Sequence, residues 1–250
     1  MREKSPKISI IIPVWDDRNG MLVNCLNSAV TQLYDNYEVL VVLDGGGTEK
    51  ANEVLKQFAG VPNLRILKLK GEPSGTAVTP RNWGIKYASG DYVAFLDSDD
   101  IALPYRLATS MQYIGYCDML YSDYIMDNNG MFTYQKSLQC DYNKMLTQNY
   151  VNFNTTLVKT EIAREIGGLR QEMKYCEDYA FILSLLYRGH RAIHIPIPLT
   201  VYRLHKDNLE QTFKKEEQKW LAMARENHKK FMLPIKPSSF EKDIKKFTKR

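Results

Sequence analysis

The stretch Asp91-Tyr92-Val93-Ala94-Phe95-Leu96-Asp97-Ser98-Asp99-Asp100 begins as an apolar strand and ends in three carboxylates within four residues. Such a cluster is costly to desolvate unless a cation or hydrogen-bond donors compensate its charge. Carboxylate oxygens are hard ligands, suited to Mg²⁺ or Mn²⁺. The stretch therefore indicates a divalent-metal site at the end of a sheet strand, with a phosphate as second partner of the metal. The alternative is a polar turn that caps a helix, because Pro104 follows and proline favours the first helical turn.

Two earlier apolar runs, residues 7–14 and 38–44, are built like this strand. Near-continuous apolar runs are typical of strands that are covered on both faces. Helical patterns separate them, so the first hundred residues alternate strand and helix, as in a doubly wound α/β sheet. Ligands of such sheets bind beyond the carboxyl ends of the strands. We therefore expect Asp16, Asp44 and the Asp97–Asp99 pair to share one rim.

The second half of the chain is less regular. Asn128-Asn129-Gly130 predicts a hairpin, and residues 177–188 predict an amphipathic helix. Residues 193–202 predict a strand whose two prolines confine it to a bulged or edge position. A last helix is expected to end before Pro234. Thr48, Thr79 and Thr160 are predicted to cap helices through their hydroxyls.

Composition narrows the classes of protein. A chain of 250 residues with 44% hydrophobic and 25% charged residues is typical of one large globular domain or a domain with an appendage. The formal charge of +5 is mild. It suits anionic small molecules or an anionic membrane surface, and no sequence motif of the nucleic-acid-binding modules is present. No nucleic-acid partner is expected.

The four cysteines, Cys25, Cys117, Cys140 and Cys176, are far apart, which favours a reducing compartment. The first residues do not resemble a signal peptide, and no apolar run is long enough to span a bilayer. The expected location is cytoplasmic. Residues 236–250 form a basic amphipathic tail that can lie on the inner face of an anionic membrane. The alternative is a solvated terminus.

Seven motifs follow one another along the chain: Ile10-Ile11-Ile12-Pro13-Val14-Trp15-Asp16, Val41-Val42-Leu43-Asp44-Gly45, Arg81-Asn82-Trp83-Gly84-Ile85, Phe95-Leu96-Asp97-Ser98-Asp99-Asp100, Gly167-Gly168-Leu169, Glu177-Asp178 and Tyr202-Arg203-Leu204-His205. Together they resemble the family 2 glycosyltransferases, over residues 7–205. The resemblance implies the GT-A fold, in which a Rossmann-like, mostly parallel sheet is flanked by helices. It also implies inverting transfer from a nucleotide-diphosphate sugar, with a UDP-sugar favoured.

The resemblance further implies one domain over residues 1–235. Within it, residues 1–100 form the nucleotide-binding half, 101–205 a smaller acceptor-binding half, and 206–235 a C-terminal helix. The implied acceptor is a hydroxyl of a polysaccharide, a lipid-linked oligosaccharide or another glycoconjugate. Peripheral membrane contact would occur through the tail.

The site residues that the resemblance implies fall into three groups. Mn²⁺ or Mg²⁺ would be held by Asp99, with Asp97 and His205 assisting, while Asp100 is structural. Asp178 would be the catalytic base, with Glu177 orienting it or contacting the acceptor. The residues expected to bind the nucleotide sugar are Pro13, Val14, Trp15, Asp16, Asp44, Arg81, Asp97 and Ser98.

One motif departs from the family pattern. Relatives usually have Asp-Asp-Gly-Ser where this chain has Leu43-Asp44-Gly45-Gly46, so the ribose and base contacts are open. Two alternative functions would require other residues. A sugar nucleotidyltransferase would carry a Gly-rich, Arg-containing loop after the first strand, where Pro13 to Asp16 stand instead. A non-catalytic nucleotide-sugar-binding subunit would lack the Asp pair or the base. The sequence leaves the donor sugar and the acceptor open. Loops near residues 152–155 and 168–175 are expected to contact the sugar hydroxyls.

Overall fold

A nine-stranded sheet runs through the protein, whose computed structural model describes residues 5–17, 19–208 and 213–238. The strands are β1 (Ile8–Val14), β2 (Tyr37–Leu43), β3 (Leu64–Lys68), β4 (Tyr92–Phe95), β5 (Ile101–Ala102), β6 (Met119–Asn128), β7 (Met131–Gln135), β8 (Leu157–Lys159) and β9 (Ala192–Leu204). The helices are α1 (Leu22–Val30), α2 (Glu49–Lys56), α3 (Val78–Tyr87), α4 (Arg106–Met111), α5 (Tyr142–Met145), α6 (Thr160–Glu165), α7 (Glu177–Tyr187) and α8 (Glu217–Asn227).

The strand order is β3-β2-β1-β4-β8-β6-β9-β5, with β7 paired to β6. The four strands from β3 to β4 are parallel, and their connections carry helices, as the sequence predicts. Beyond β4 the sheet is mixed: β8 is antiparallel to β4 and β6, whereas β9 is parallel to β6. The register of β9 shifts near Pro198, which confirms the predicted bulge. The predicted α/β class is confirmed.

Two apolar layers cover the sheet, one on each face. Ile11 of β1 belongs to the layer that contains Ile85 of α3, whereas Ile10 and Ile12 belong to the layer that contains Leu26 of α1. This alternation is the period of two that a strand imposes on its side chains. Every residue of β1 is buried. The continuous apolar run is therefore the signature of a strand covered on both faces.

Of the three predicted hydroxyl caps, that of Thr48 is confirmed, since its Oγ1 accepts from the Ala51 N–H at 3.3 Å at the start of α2. The other two are wrong. Helix α3 begins at Val78 with no side-chain cap, and Thr79 Oγ1 donates to Gln171 Oε1 at 3.2 Å. Helix α6 begins at Thr160 itself, whose Oγ1 donates to the carbonyl oxygen of Gly90 at 2.7 Å. In each case a partner distant in sequence takes the hydroxyl that a local cap would use.

The C-terminal helix is shorter than the predicted 206–235. Among the described residues, α8 spans only Glu217–Asn227, and residues 231–238 have no regular secondary structure. Packing explains the difference, because Met232 lies against Gly167 and Ile235 against Gly168. The predicted amphipathic helix α7 is present, but buried side chains occupy nearly all of its faces.

No helix in the described ranges combines the length and the apolar character needed to cross a membrane. The predicted basic tail lies almost entirely outside the described residues, since the description ends at Ser238. Its contact with a membrane stays a prediction.

Candidate active site

The carboxyl ends of β1, β2 and β4 open onto a single cleft of about 880 Å³. All of the site residues expected from the sequence line it: Pro13, Val14, Trp15, Asp16, Asp44, Arg81, Asp97, Ser98, Asp99, Glu177, Asp178 and His205. The structure thus brings together residues that are up to 192 positions apart in the chain. Their individual roles stay predictions.

Asp16 is fixed at the end of β1 by the start of α2. Thr48 Oγ1 donates to Asp16 Oδ1 at 2.7 Å, and the Asp17 N–H donates to the same oxygen at 2.8 Å. The Thr48 N–H also donates to the carbonyl oxygen of Trp15 at 2.8 Å. This hydrogen bond fixes the backbone of Trp15, and 41% of the residue is exposed.

Asp44 ends β2 and is buried against a loop that sequence reasoning did not single out. Its Oδ2 accepts from the Ser74 N–H at 2.8 Å and from Ser74 Oγ at 2.7 Å. Gly45 allows this approach, since its φ is +55° and a Cβ there would lie 2.6 Å from the nitrogen of Pro73. Ser74, from a different segment of the chain, thus holds the carboxylate of Asp44 in place.

The turn after β4 separates its carboxylates. Asp100 is fully buried and accepts from the Arg203 N–H at 2.9 Å and from Asn154 Nδ2. Asn154 Oδ1 accepts from the Asp97 N–H at 2.9 Å. Burial, together with the charges of Asp99 and Asp97, raises the pKa of Asp100 well above its ordinary value. Asp100 thus anchors the turn from below, while Asp97 and Asp99 remain half-exposed in the cleft.

This turn fits a divalent cation. Carboxylate oxygens of Asp97, Asp99 and Asp100 lie within 4.8 Å of one another. His205 Nε2 lies 2.8 Å from Asp99 Oδ2, and its Nδ1 contacts Asn19 Nδ2 at 3.2 Å. Two partly exposed carboxylates beside an imidazole form a ligand set that hard and borderline cations such as Mg²⁺ and Mn²⁺ accept.

Arg81 connects this turn to the other side of the cleft. Its Nη2 donates to Asp97 Oδ1 at 2.6 Å and its Nη1 to Glu177 Oε1 at 2.7 Å. The guanidinium also lies over the ring of Phe153, 5.1 Å from its centre. Although burial acts to lower it, the Asp97 and Glu177 carboxylates raise the pKa of Arg81 above its ordinary value. The side chain is therefore a fixed positive charge between two acidic groups.

Both carboxyl groups at the start of α7 have raised pKa values. Burial raises the pKa of Glu177 to about 7, against the opposing effect of Arg81. Burial also raises the pKa of Asp178, and Arg81 again opposes the shift. The Asp178 Oδ1 accepts from the Tyr179 N–H at 2.7 Å, which orients the carboxylate. A carboxylate with a raised pKa is a stronger proton acceptor, as general-base chemistry requires.

Cys176, the residue before this pair, has an unusual backbone. Its φ is +59°, in the left-handed region that non-glycine residues rarely adopt. Such conformations cluster at functional sites, where the surrounding structure enforces them. Here the turn lets the chain enter α7 so that both Glu177 and Asp178 face the cleft.

The second half of the cleft has a different character. Of the two loops that the sequence suggested for sugar recognition, 152–155 contributes Asn152, Phe153 and Asn154, whereas 168–175 contributes only Tyr175. Further lining residues that sequence reasoning did not identify are Tyr124, Lys136, Gln148, Asn149, Tyr150 and Tyr202. They come from the β6–β7 hairpin, the segment after α5 and the end of β9. Only the fold brings these segments together.

Comparison with known protein families gives a match over most of the chain. Residues 9–170 match the family described as Glycosyl transferase family 2. A glycosyltransferase of Haemophilus influenzae, described as uncharacterized, is 32% identical over 197 residues, which cover 75% of this chain and 75% of that protein. The Escherichia coli protein WfgD is named UDP-Glc:alpha-D-GlcNAc-diphosphoundecaprenol beta-1,3-glucosyltransferase. It is 29% identical over 221 residues, covering 85% of this chain and 83% of WfgD.

Solved structures show the same architecture. S. aureus TarS 1–349 in complex with UDP superposes with a TM-score of 0.67 at 22% identity, covering 87% of this chain and 65% of that one. The mannosyltransferase PcManGT from Pyrobaculum calidifontis, solved with GDP-Man and Mn²⁺, gives a TM-score of 0.61 at 17% identity, covering 90% and 70%. At these identities the similarity shows a shared fold.

Proposed function

Because this chain belongs to the glycosyl transferase family 2 and has the GT-A fold, we propose that it is an inverting enzyme that transfers a sugar from a nucleotide-diphosphate sugar to an acceptor hydroxyl. One observation carries the proposal. Asp99 at the predicted metal side and Asp178 as the predicted base line the same cleft. Arg81 joins their neighbours Asp97 and Glu177.

The proposed donor is a UDP-sugar. An ionised carboxylate accepts several hydrogen bonds, so Asp44 keeps acceptor capacity beyond its two bonds from Ser74. That capacity suits the N3–H of uracil. Trp15 and Asp16, with Pro13 and Val14 behind them, would contact the nucleoside. TarS has been solved with UDP, and the name of WfgD specifies UDP-Glc, which supports this choice.

Asp99 and Asp97 would hold the cation, with His205 completing the site. Ser98 would contact the nucleotide sugar. When bound, Mn²⁺ or Mg²⁺ neutralises charge on the departing diphosphate. Both Nη atoms of Arg81 are engaged by carboxylates, so its first role in this proposal is to position Asp97 and Glu177. Its direct contact with the diphosphate stays a prediction.

Asp178 would act on the acceptor. Its carboxylate accepts the proton of the acceptor hydroxyl while that oxygen attacks the anomeric carbon. The bond from the anomeric carbon to the diphosphate oxygen breaks, and its electron pair leaves with the nucleoside diphosphate. A single displacement of this kind inverts the anomeric configuration. Glu177, which is paired with Arg81, would orient Asp178 or contact the acceptor.

The proposed acceptor is a glycan, with a lipid-linked diphosphate sugar favoured. The name of WfgD contains such an acceptor. Lys136, a cation in the acceptor half of the cleft, suits a phosphate group. The organisation proposed for the chain remains one domain over residues 1–235, with donor recognition by 1–100 and acceptor recognition by 101–205.

The sugar nucleotidyltransferase alternative is not favoured. The segment after β1, Trp15 and Asp16, is tied to Thr48 rather than forming a Gly-rich phosphate loop. The non-catalytic alternative is also not favoured, since the Asp pair and Asp178 all line the cleft.

A donor panel tests the proposal. UDP-, dTDP- and GDP-sugars are incubated with the protein and Mn²⁺, with and without EDTA, and nucleoside diphosphate release is measured in the presence of a mixed acceptor pool. We expect release from one UDP-sugar that EDTA abolishes. Release from no donor would contradict the proposal. So would release of pyrophosphate in a parallel incubation with a sugar phosphate and UTP.

A further inference from the structure

The segment after α8, residues 229–238, presents an apolar ridge to solvent. The Ile235 N–H donates to the carbonyl oxygen of Arg164 at 2.8 Å, which ties the segment to α6. Met232 and Ile235 turn inward against Gly167 and Gly168. Phe231 and Leu233 turn outward and are 76% and 82% exposed. Two large, strongly exposed apolar side chains thus stand two residues apart in this segment.

Lysines flank this ridge in the sequence. Lys229, Lys230 and Lys236 are exposed. The Nζ of Lys229 lies 5.6 Å from the centre of the Tyr187 ring, and Tyr187 is a third large side chain, which is half-exposed. The surface therefore combines aromatic and aliphatic groups with positive charge. We call residues 229–238 together with Tyr187 the C-terminal patch.

The charge of the chain is concentrated at this end. Eight of the 34 Lys and Arg residues and two of the 29 Asp and Glu residues fall in 229–250, which gives this segment a net charge of +6. The remaining 228 residues carry a net charge of −1. Residues 239–250 lie outside the described part of the chain, so only their composition enters here. The net positive charge of the protein thus comes from the C-terminal segment that includes the apolar ridge.

We propose that the C-terminal patch docks the protein on an anionic lipid bilayer. Phe231 and Leu233 enter the boundary between headgroups and acyl chains, and the lysines contact the phosphates. Apolar side chains flanked by cations bind such surfaces, with affinity that rises with both apolar area and charge. An apolar pair without the surrounding charge would fit a protein partner equally well, but net charge of this sign and density fits anionic headgroups.

None of the patch residues lines the cleft. The proposal therefore goes beyond glycosyl transfer, and vesicle binding can be measured without any sugar or nucleotide. A failure of the donor panel leaves this proposal standing, and the reverse also holds.

Vesicle co-sedimentation tests the proposal. The full chain is mixed with phosphatidylcholine vesicles, with and without phosphatidylglycerol, at low and high salt. We expect binding to the phosphatidylglycerol vesicles that weakens at high salt. The double variant Phe231→Ser/Leu233→Ser is expected to bind at least about tenfold more weakly, and Lys229→Glu/Lys236→Glu to a similar extent.

Matched controls make the same types of substitution on another part of the surface. Leu33→Ser removes an apolar side chain that is 68% exposed elsewhere, and Lys50→Glu/Lys56→Glu makes the same change of charge on α2. Both controls are expected to bind like the unchanged protein. Three results would each overturn the proposal: no binding to anionic vesicles, equal losses in variants and controls, or binding that depends only on residues 239–250. So would a concentration-dependent dimer that Phe231→Ser/Leu233→Ser abolishes, since a second copy would then cover the ridge.

Discussion

Arg81 holds two carboxylates that come from opposite sides of the cleft, Asp97 after β4 and Glu177 at the start of α7. Removing one partner of a buried ion pair strongly destabilises the protein, because the remaining charge is then buried without a partner. This arginine therefore fixes the distance between the predicted metal ligands and the predicted base. It also sets how readily that base takes a proton.

Replacing Arg81 should move the pH dependence of transfer. The guanidinium lowers the pKa values of Glu177 and Asp178, so its removal raises both. A base must be ionised, and activity is therefore lost as pH falls through the pKa of Asp178. In Arg81→Gln the acidic limb of kcat/KM should shift to higher pH by about one unit.

The control is Arg81→Lys, which keeps the charge and should shift the limb less. Thermal unfolding of both variants shows whether they are folded. An acidic limb that stays in place or moves to lower pH in Arg81→Gln would contradict the assigned electrostatics.

Ser74 should matter for nucleotide affinity although it lies outside every family motif. It donates two hydrogen bonds to Asp44, and Ser74→Ala removes the one from Oγ while keeping the one from the backbone. A hydrogen bond to a charged group is worth about 1.5 kcal/mol or more, so UDP affinity should fall about tenfold. Calorimetry with UDP measures this, and unchanged affinity would show that Ser74 does not position the base contact.

Individual site residues could be predicted from the sequence where acidic side chains directly follow a predicted strand. Asp16, Asp44 and the Asp97–Asp99 pair follow recognisable strands, so their convergence could be predicted. The bonds from Ser74 to Asp44 and between Asn154 and Asp97 could not be predicted, because they join residues 30 and 57 positions apart and no local pattern marks them.

Among the elements, α7 decides where the predicted base lies. Buried side chains surround it, and the left-handed Cys176 sets the direction from which the chain enters it. A left-handed conformation costs a non-glycine residue about 1–2 kcal/mol, and a β-branched residue tolerates it poorly. The helix start is thus held in place against a local preference.

Substitutions at Cys176 should separate this strain from simple loss of a thiol. Cys176→Val is expected to lower the stability by about 2 kcal/mol and to reduce kcat, while UDP binding persists. Cys176→Gly should be closer to the unchanged protein in both respects, because glycine adopts a positive φ readily.

Cys117→Val is the matched control, since Cys117 is also buried but has an extended backbone with φ −155°. Valine fits that conformation. Chemical denaturation and steady-state kinetics provide the readouts. Equal effects of valine at positions 117 and 176 would show that backbone conformation at Cys176 has no special importance.

Elements were predictable where apolar periodicity is long, as in β1, β2 and α7. Their ends were less predictable. Thr79 and Thr160 look like local caps, yet their hydroxyls bond Gln171 and Gly90. The end of α8 was also missed, because the inward packing of Met232 and Ile235 replaces a further turn of helix. A local sequence pattern does not show whether a side chain will bind a neighbouring residue or one that is distant in the chain.

For the whole molecule, the sheet is what joins the two halves. The parallel part, β3 to β4, delivers three strand ends to the cleft, and the mixed part, β8 to β5, delivers the hairpin and the end of β9. The first arrangement follows from strand–helix alternation, which the sequence displays. The second depends on pairings such as β6 with β9, over 70 residues apart, for which no local signal exists.

The cleft is therefore proposed to combine metal-dependent UDP binding with catalysis of sugar transfer. A pair of variants tests whether the two can be separated. UDP binding in the presence of Mn²⁺ and sugar transfer are measured on the same preparations of Asp178→Asn and Asp99→Ala. Asp178→Asn should lose at least about 100-fold in kcat, as expected for removal of a general base, while its UDP affinity stays within about twofold. Asp99→Ala should instead lose the metal-dependent part of UDP binding. Loss of UDP binding in Asp178→Asn, or undiminished metal-dependent binding in Asp99→Ala, would contradict the proposed division of the site.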